Sequence, residues 1–332
     1  MGEATPAGAA LRPLTERILE KLPGPRVGWI AAWALVPWLN AGANLLLDSG
    51  GTSAVWEQSA IFVVLNYVAL SAAVAIALWG SGRIARRLET LPARTSRVLA
   101  GDLTAPFRGM NSIAGPLLLT CAASIAFAVA AFARDGLAAA ALRGLTWVVL
   151  GLAVSTFLWT YGCLHLGLDR LGRERLHPNA ARVDASLGVQ PLGDIAFMGL
   201  WMFLAWLVPV LLTGLPDVAG VVIGFLVLWS GLAAFFLSLV RLHRQMLGVK
   251  ARELDAARKL YAEAYEPVRT AGTLEALDEQ RQLLAAADSL EGRARAIHEW
   301  PIDEGTVARV ITIATSVVAI TIGRLILDPF GL

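Results

Sequence analysis

Two side chains with the spacing of a metal-binding pair lie near the end of an apolar segment. His165 and Asp169 are four residues apart, so on a helix they share one face. An imidazole and a carboxylate placed in this way could form half of a metal site, or they could make a local hydrogen bond. No second His lies four residues from a carboxylate in this chain. The pattern therefore favours the hydrogen bond, and we expect no metal and no cofactor.

Motifs that carry catalysis are missing from the sequence. It contains no HExxH, GxSxG or phosphate-loop pattern. The two cysteines, Cys121 and Cys163, each lie inside an apolar stretch and have neither disulfide nor metal spacing. We therefore expect a protein that is not an enzyme.

Amide and hydroxyl side chains are the polar groups of interest within the apolar segments. Asn40 and Asn44 are one helical turn apart in the first segment, and Asn66 lies in the second. Amides in a bilayer usually hydrogen-bond between helices. We expect that packing role for all three, and the alternative is that they line a hydrated cavity.

The last apolar segment has one face of small and hydroxyl residues. Val310, Ile313, Val317 and Ile320 make an apolar stripe along one side of this segment. Hydroxyl and small residues on the opposite side allow helices to approach closely, or they could line a pore between copies of the chain. These candidates for pore lining or helix packing are Thr312, Thr315, Ser316, Ala319 and Gly323.

Composition identifies the environment in which these segments must fold. Hydrophobic residues make up 56% of the chain and charged residues 16%, with a mean hydropathy of +0.61. A soluble domain has about 25% charged residues. A spanning helix needs about 20 mostly apolar residues. The sequence predicts an all-α, multi-pass membrane protein with six clear spans at 27–47, 58–79, 113–133, 145–168, 195–212 and 218–240, and a probable seventh at 307–327.

The seventh segment is the weakest of these predictions. Arg309 and Arg324 flank a short apolar core, and their side chains would have to extend to the two interfaces for the segment to cross the bilayer. A re-entrant helix is therefore an alternative to full spanning.

The distribution of Lys and Arg among the loops predicts how the chain is oriented in the membrane. Lys and Arg concentrate in alternate loops, with fourteen in the N-terminal arm (1–26) and the loops 80–112 and 169–194, against two in the loops between. Positive loops stay in the cytoplasm. We expect a cell or inner membrane location with a cytoplasmic N-terminus and a membrane bundle at 27–240.

Residues 241–299 predict a cytoplasmic antiparallel helical hairpin that returns to a C-terminal helix at 300–332. Apolar residues at spacings of seven, three and four indicate a coiled-coil-like seam, and the break is expected at 267–273. The ten basic and ten acidic residues of this segment balance, so nucleic acid is not an expected partner. The proposed assembly seam comprises Leu247, Leu254, Ala257, Tyr261, Ala264 and Val268.

Two classes of function are consistent with these features. The first is a homo-oligomeric ion channel or pore with the C-terminal helix near its axis. The second is a non-catalytic membrane scaffold or sensor whose 241–299 hairpin binds a cytoplasmic protein. The predicted topology is similar in general form to that of insect chemoreceptor channels, although no motif of that family occurs here. The predicted spans carry no central Asp, Glu or Lys of the kind that coupled transport uses, which favours the first class.

Overall fold

The computed structural model describes residues 10–47, 60–91, 103–174, 188–213, 218–270 and 274–301, together with separate positions between 305 and 323. Within these residues every regular element is a helix, which confirms the all-α class. A short 3-10 helix, Ala105–Asn111, precedes α5. The α-helices are α1 (Leu14–Lys21), α2 (Arg26–Ala34), α3 (Val36–Leu47), α4 (Ala60–Glu89), α5 (Ala114–Leu171), α6 (Gln190–Thr213), α7 (Val218–Thr270) and α8 (Leu274–Ala296).

Four helices in the described residues are long and apolar enough to cross a membrane. They are Val64–Glu89, Ala140–Leu171, Gln190–Leu211 and Val222–Tyr265. The 3-10 helix and Ala114–Val129, which meet at 43°, would make a fifth span if they cross as one bent unit. These helices overlap five of the predicted spans. The full count of six or seven, and the orientation, stay predictions.

The first predicted span, 27–47, is divided in the structure. It forms α2 and α3, which are nine and twelve residues long and separate at Leu35. The Leu35 N–H donates to the carbonyls of Ala31 and Ala32, both at 3.2 Å. Pro37, two residues on, has no N–H with which to continue the ladder. A proline is tolerated in the first turn of α3, and this explains why the new helix starts there.

The helix α5 contains two arms that fold against each other at Gly136. This residue has φ 84° and ψ −174°, a conformation that only glycine adopts readily. Phe127 on the first arm stacks on Trp147 of the second, with ring centroids 3.8 Å apart. The segment 134–144 was predicted as a loop, but helix continues on both sides of the single reversing residue. The arms, 114–135 and 137–171, correspond to the third and fourth predicted spans.

Aromatic side chains fill the centre of the bundle. The second arm of α5 packs with α4, α6 and α7. Phe157 and Phe235 are fully buried, and the Tyr161 and Phe203 rings stack with centroids 4.8 Å apart. Such burial excludes lipid and water from the helix contacts and determines how the helices face one another.

The predicted N-terminal arm, 1–26, contains α1, which lies against α4. The Glu16 carboxylate pairs with Arg26, and its other oxygen lies 3.9 Å from Arg86 of α4. Burial raises the pKa of Glu16, although Arg26 and Arg86 oppose that effect. Thr15 and Ser81 hydroxyls are 3.4 Å apart in the same buried contact. The arm is therefore joined to the bundle by buried polar contacts.

Candidate functional site

The described residues near the C-terminus form helix, and their hydroxyl face points away from the bundle. Thr312, Thr315, Ser316 and Ala319 are all exposed. Ile313 and Val318 are partly buried and pack against the main core. The helix therefore presents its hydroxyl and small side chains outward, on the side opposite its contact with the bundle.

Each hydroxyl on this face is satisfied within its own helix. Thr312 donates to the Ala308 carbonyl at 3.0 Å, Thr315 to Ile311 at 2.8 Å, and Ser316 to Thr312 at 2.8 Å. Such bonds to the carbonyl four residues earlier leave the oxygen lone pairs available to a neighbour. Gly323 is half-buried. The predicted stripe members Val310, Val317 and Ile320 lie outside the described residues.

The predicted amide positions give no functional site. Asn40 and Asn44 lie on α3, but their side chains are outside the described residues. Asn66 is half-buried on α4 and makes no hydrogen bond to another described residue. The interhelical role of these three amides stays a prediction.

The helices α7 and α8 pack side by side, and two alanines of the predicted seam, Ala257 and Ala264, are buried there. Ala257 and Ala264 on α7 are fully buried, and Ala287 and Ala294 on α8 are 0% and 2% exposed. Small residues seven apart on each helix permit close approach of the backbones. Leu254 and Tyr261, at the proposed seam, are half-buried, whereas Leu247 is 37% exposed and Val268 is outside the described side chains.

Contacts between α7 and the segment that contains α8 join early positions of one to late positions of the other. Lys250 of α7 pairs with Glu299 at 3.1 Å, and the His243 and Trp300 rings stack with their centroids 4.1 Å apart. Further along α7, the Tyr261 hydroxyl donates to the Asp288 carboxylate of α8. Of the predicted break, 267–273, the first four residues continue α7 to Thr270, and residues 271–273 lie outside the described residues. A cytoplasmic hairpin that serves as an assembly module stays a prediction.

The pair His165 and Asp169 does not act as a unit. His165 is 3% exposed, and its Nδ1 lies 2.9 Å from the Ser238 hydroxyl of α7. Asp169 instead pairs with Arg173 at 2.9 Å and Arg241 at 2.5 Å. No group of three His, Cys, Asp or Glu suited to a metal occurs in the described part of the chain. The local hydrogen bond expected from the spacing does not form between these two residues, because each bonds to a different partner.

One buried polar contact was missed at the sequence level. The Tyr161 hydroxyl donates to the Gly231 carbonyl of α7 at 2.8 Å. Tyr161 lies one turn before His165 on α5, and Gly231 lies two turns before Ser238 on α7. Each pair lies on one face of its own helix, so helical periodicity could have indicated two polar faces that meet. We call Tyr161, His165, Gly231 and Ser238 the interior polar cluster.

No family model, curated protein or solved structure matches this chain. The site must therefore be interpreted from its geometry alone. The interior polar cluster joins α5 to α7 and is enclosed by Phe203 and Phe235, so its chemistry is that of helix packing. The outward hydroxyl face is the candidate functional site because its polar groups are accessible to a second molecule.

Proposed function

We propose that this chain is a membrane protein that assembles into a homo-oligomeric channel for ions or small solutes, with the terminal helix near the symmetry axis. The observation that carries the proposal is the outward direction of Thr312, Thr315, Ser316 and Ala319. A face of this kind is well suited to line a narrow aqueous pathway once several copies surround it.

The packing of the single chain supports a pathway between copies rather than one through the bundle. Large aromatic side chains occupy the space between α5, α6 and α7, and Phe157 and Phe235 have no exposed surface. A solute passing through the described core would have to displace these rings. An assembly with the terminal helices at its centre needs no such displacement.

The test is planar-bilayer recording of the purified full-length protein and a Ser316→Trp variant. We expect the wild-type protein to conduct and the indole to block at least about nine-tenths of the current, because it fills a face now occupied by a small hydroxyl. Ile311→Trp is the matched control. Ile311 is 56% exposed and lies about 140° around the helix from Ser316, at the edge of the face beside Thr315, so its replacement should reduce the conductance much less than Ser316→Trp.

Two results would count against this proposal. A wild-type protein that is monomeric in native-like lipid would remove the assembly on which the pathway depends. Conductance that is equal in Ser316→Trp and Ile311→Trp would show that this face does not line the pathway.

A second candidate function is a membrane scaffold or sensor that binds a protein partner through α7 and α8. The length of α7 favours it, because its 53 residues extend for about 80 Å, far more than a bilayer needs. The paired helices also carry exposed charged side chains such as Arg252 and Arg258. A stable monomer whose α7–α8 segment is protected from proteolysis only by an added partner would favour this function.

A further inference from the structure

A cleft with a volume of about 250 Å³ lies between the end of α4 and the start of α6. One wall consists of the last turns of α4, and the other of the first turns of α6. Two arginines and a threonine face the cleft from α4, and a carboxylate with apolar neighbours faces it from α6. The lining includes Arg83, Arg87, Thr90, Asp194, Ile195 and Met198.

The two arginines of the cleft lack the carboxylate partner that the neighbouring Arg86 has. Arg86 lies 3.9 Å from the Glu16 carboxylate. Neither Arg83 nor Arg87 forms an ion pair with any carboxylate in the described residues, and the Nε of Arg83 is buried without an acceptor. A buried donor of a charged group that lacks an acceptor is costly. An anion in the cleft that pairs with the same guanidinium group would offset this cost.

The cleft has an excess of positive charge. Among the described residues that line it, Asp194 is the only acidic one, and it already has an interaction of its own. Two guanidinium groups therefore face one carboxylate. Arginine is suited to phosphate because its planar group offers several donors at once.

The position of the cleft along the bundle indicates the source of the anion. Both helices that form it are candidate spans, and the cleft lies where α4 ends and α6 begins. The Arg83 guanidinium sits 4.8 Å from the centre of the Trp79 ring, and Trp79 is 42% exposed. Tryptophan and arginine side chains favour the level of lipid headgroups. The apolar lining residues Ile195 and Met198 lie on the membrane-directed side of Asp194 along α6.

We propose that this cleft binds the phosphate of an anionic phospholipid, held by Arg83 and Arg87, with an acyl chain directed along α4 and α6. Basic pockets between membrane helices recognise anionic headgroups in this way. The predicted orientation places the cleft at the cytoplasmic leaflet, because the basic loop 80–112 begins there. The proposal depends on a membrane location and is independent of whether the chain conducts.

The experiment measures lipid retention by native mass spectrometry of the full-length protein after extraction from vesicles of phosphatidylcholine mixed with phosphatidylglycerol. We expect the wild-type protein to retain phosphatidylglycerol preferentially. The Arg83→Gln/Arg87→Gln double variant should bind it at least about tenfold more weakly, because charge-assisted bonds to the phosphate are lost. Arg86→Gln is the matched control and should keep the preference.

Three results would overturn the proposal. The first is a double variant that keeps the preference. The second is an equal loss in Arg86→Gln, which would indicate a general effect of surface charge. Displacement of the lipid by millimolar inorganic phosphate would reassign the cleft to a soluble phosphate. The unfolding temperature of each variant in pure phosphatidylcholine shows whether it is folded, and Arg87→Gln alone replaces the double variant if that protein does not fold.

Discussion

Polar side chains in two regions of this molecule form hydrogen bonds with different kinds of partner. In the interior polar cluster, Tyr161 and His165 reach across from α5 to Gly231 and Ser238 of α7. On the terminal helix, Thr312 and Ser316 bond only to carbonyls of their own helix. The first group joins two helices, whereas the second leaves an exposed face uncommitted.

The hydrogen-bond partner of a polar side chain on an apolar helix indicates whether that side chain is available for function. A polar group that bonds to another helix is part of the packing, and its replacement disturbs that contact. A hydroxyl that bonds to its own backbone adds little to the fold and can face lipid, water or another chain. The comparison predicts large effects on stability in the interior and small ones on the terminal face.

The largest effect is expected for His165→Ala. The change removes a buried ring that contacts Tyr161 and Phe235 and leaves the Ser238 hydroxyl without its interhelical partner. We expect a loss of about 2–4 kcal/mol in the free energy of unfolding, from the cavity and the lost bond together. Denaturant titration in detergent measures it. Leu166→Ala, at a neighbouring side chain that is 60% exposed, is the control and should change stability far less.

A smaller loss is expected for Gly231→Ala. A Cβ at this position would overlap the ring of Phe203, which stacks on Tyr161. Overpacking of this kind costs about 1–3 kcal/mol. Gly248→Ala on the same helix has open space around it and should be neutral or stabilise the protein by up to about 1 kcal/mol. Equal unfolding temperatures for the two variants would contradict the close contact between α6 and α7.

The smallest effect on stability is expected for Ser316→Ala. Its hydroxyl bonds only to the Thr312 carbonyl on an exposed face, so the free energy of unfolding should change by less than about 0.5 kcal/mol. Thermal unfolding in detergent provides the measurement. A loss as large as that of His165→Ala would show that Ser316 is part of the packing, and the distinction between the two regions would then fail.

Several features of the fold could be predicted from particular residues. The apolar segments around Val149, Met198 and Val227 are long enough for helices that could cross a membrane. The helical spacing of Thr312, Ser316 and Ile313 indicates that the terminal helix has two faces. In the structure Thr312 and Ser316 are exposed, and Ile313 packs against the core. Local spacing carries this information because helix periodicity is a property of the backbone.

Partners that are distant in the sequence could not be predicted in this way. His165 and Ser238 are 73 residues apart, and the choice between Ser238 and Asp169 depends on how α5 rotates against α7. Ala257 and Ala264 belong to the predicted seam, but the buried alanines of α8, Ala287 and Ala294, were not predicted. The packing of two helices depends on both of them and cannot be derived from the pattern of one.

By itself, the sequence determined that this chain is helical, strongly apolar and poor in catalytic motifs, because composition and periodicity act locally. Other features became visible in the tertiary structure alone. The helix α5 reverses at Gly136, and the terminal hydroxyls point outward. Arg86 lies near Glu16, whereas Arg83 and Arg87 face a cleft. Each of these outcomes depends on which helices lie side by side. That arrangement results from the fit of side chains between helices, which is a property of pairs of segments and not of any one of them.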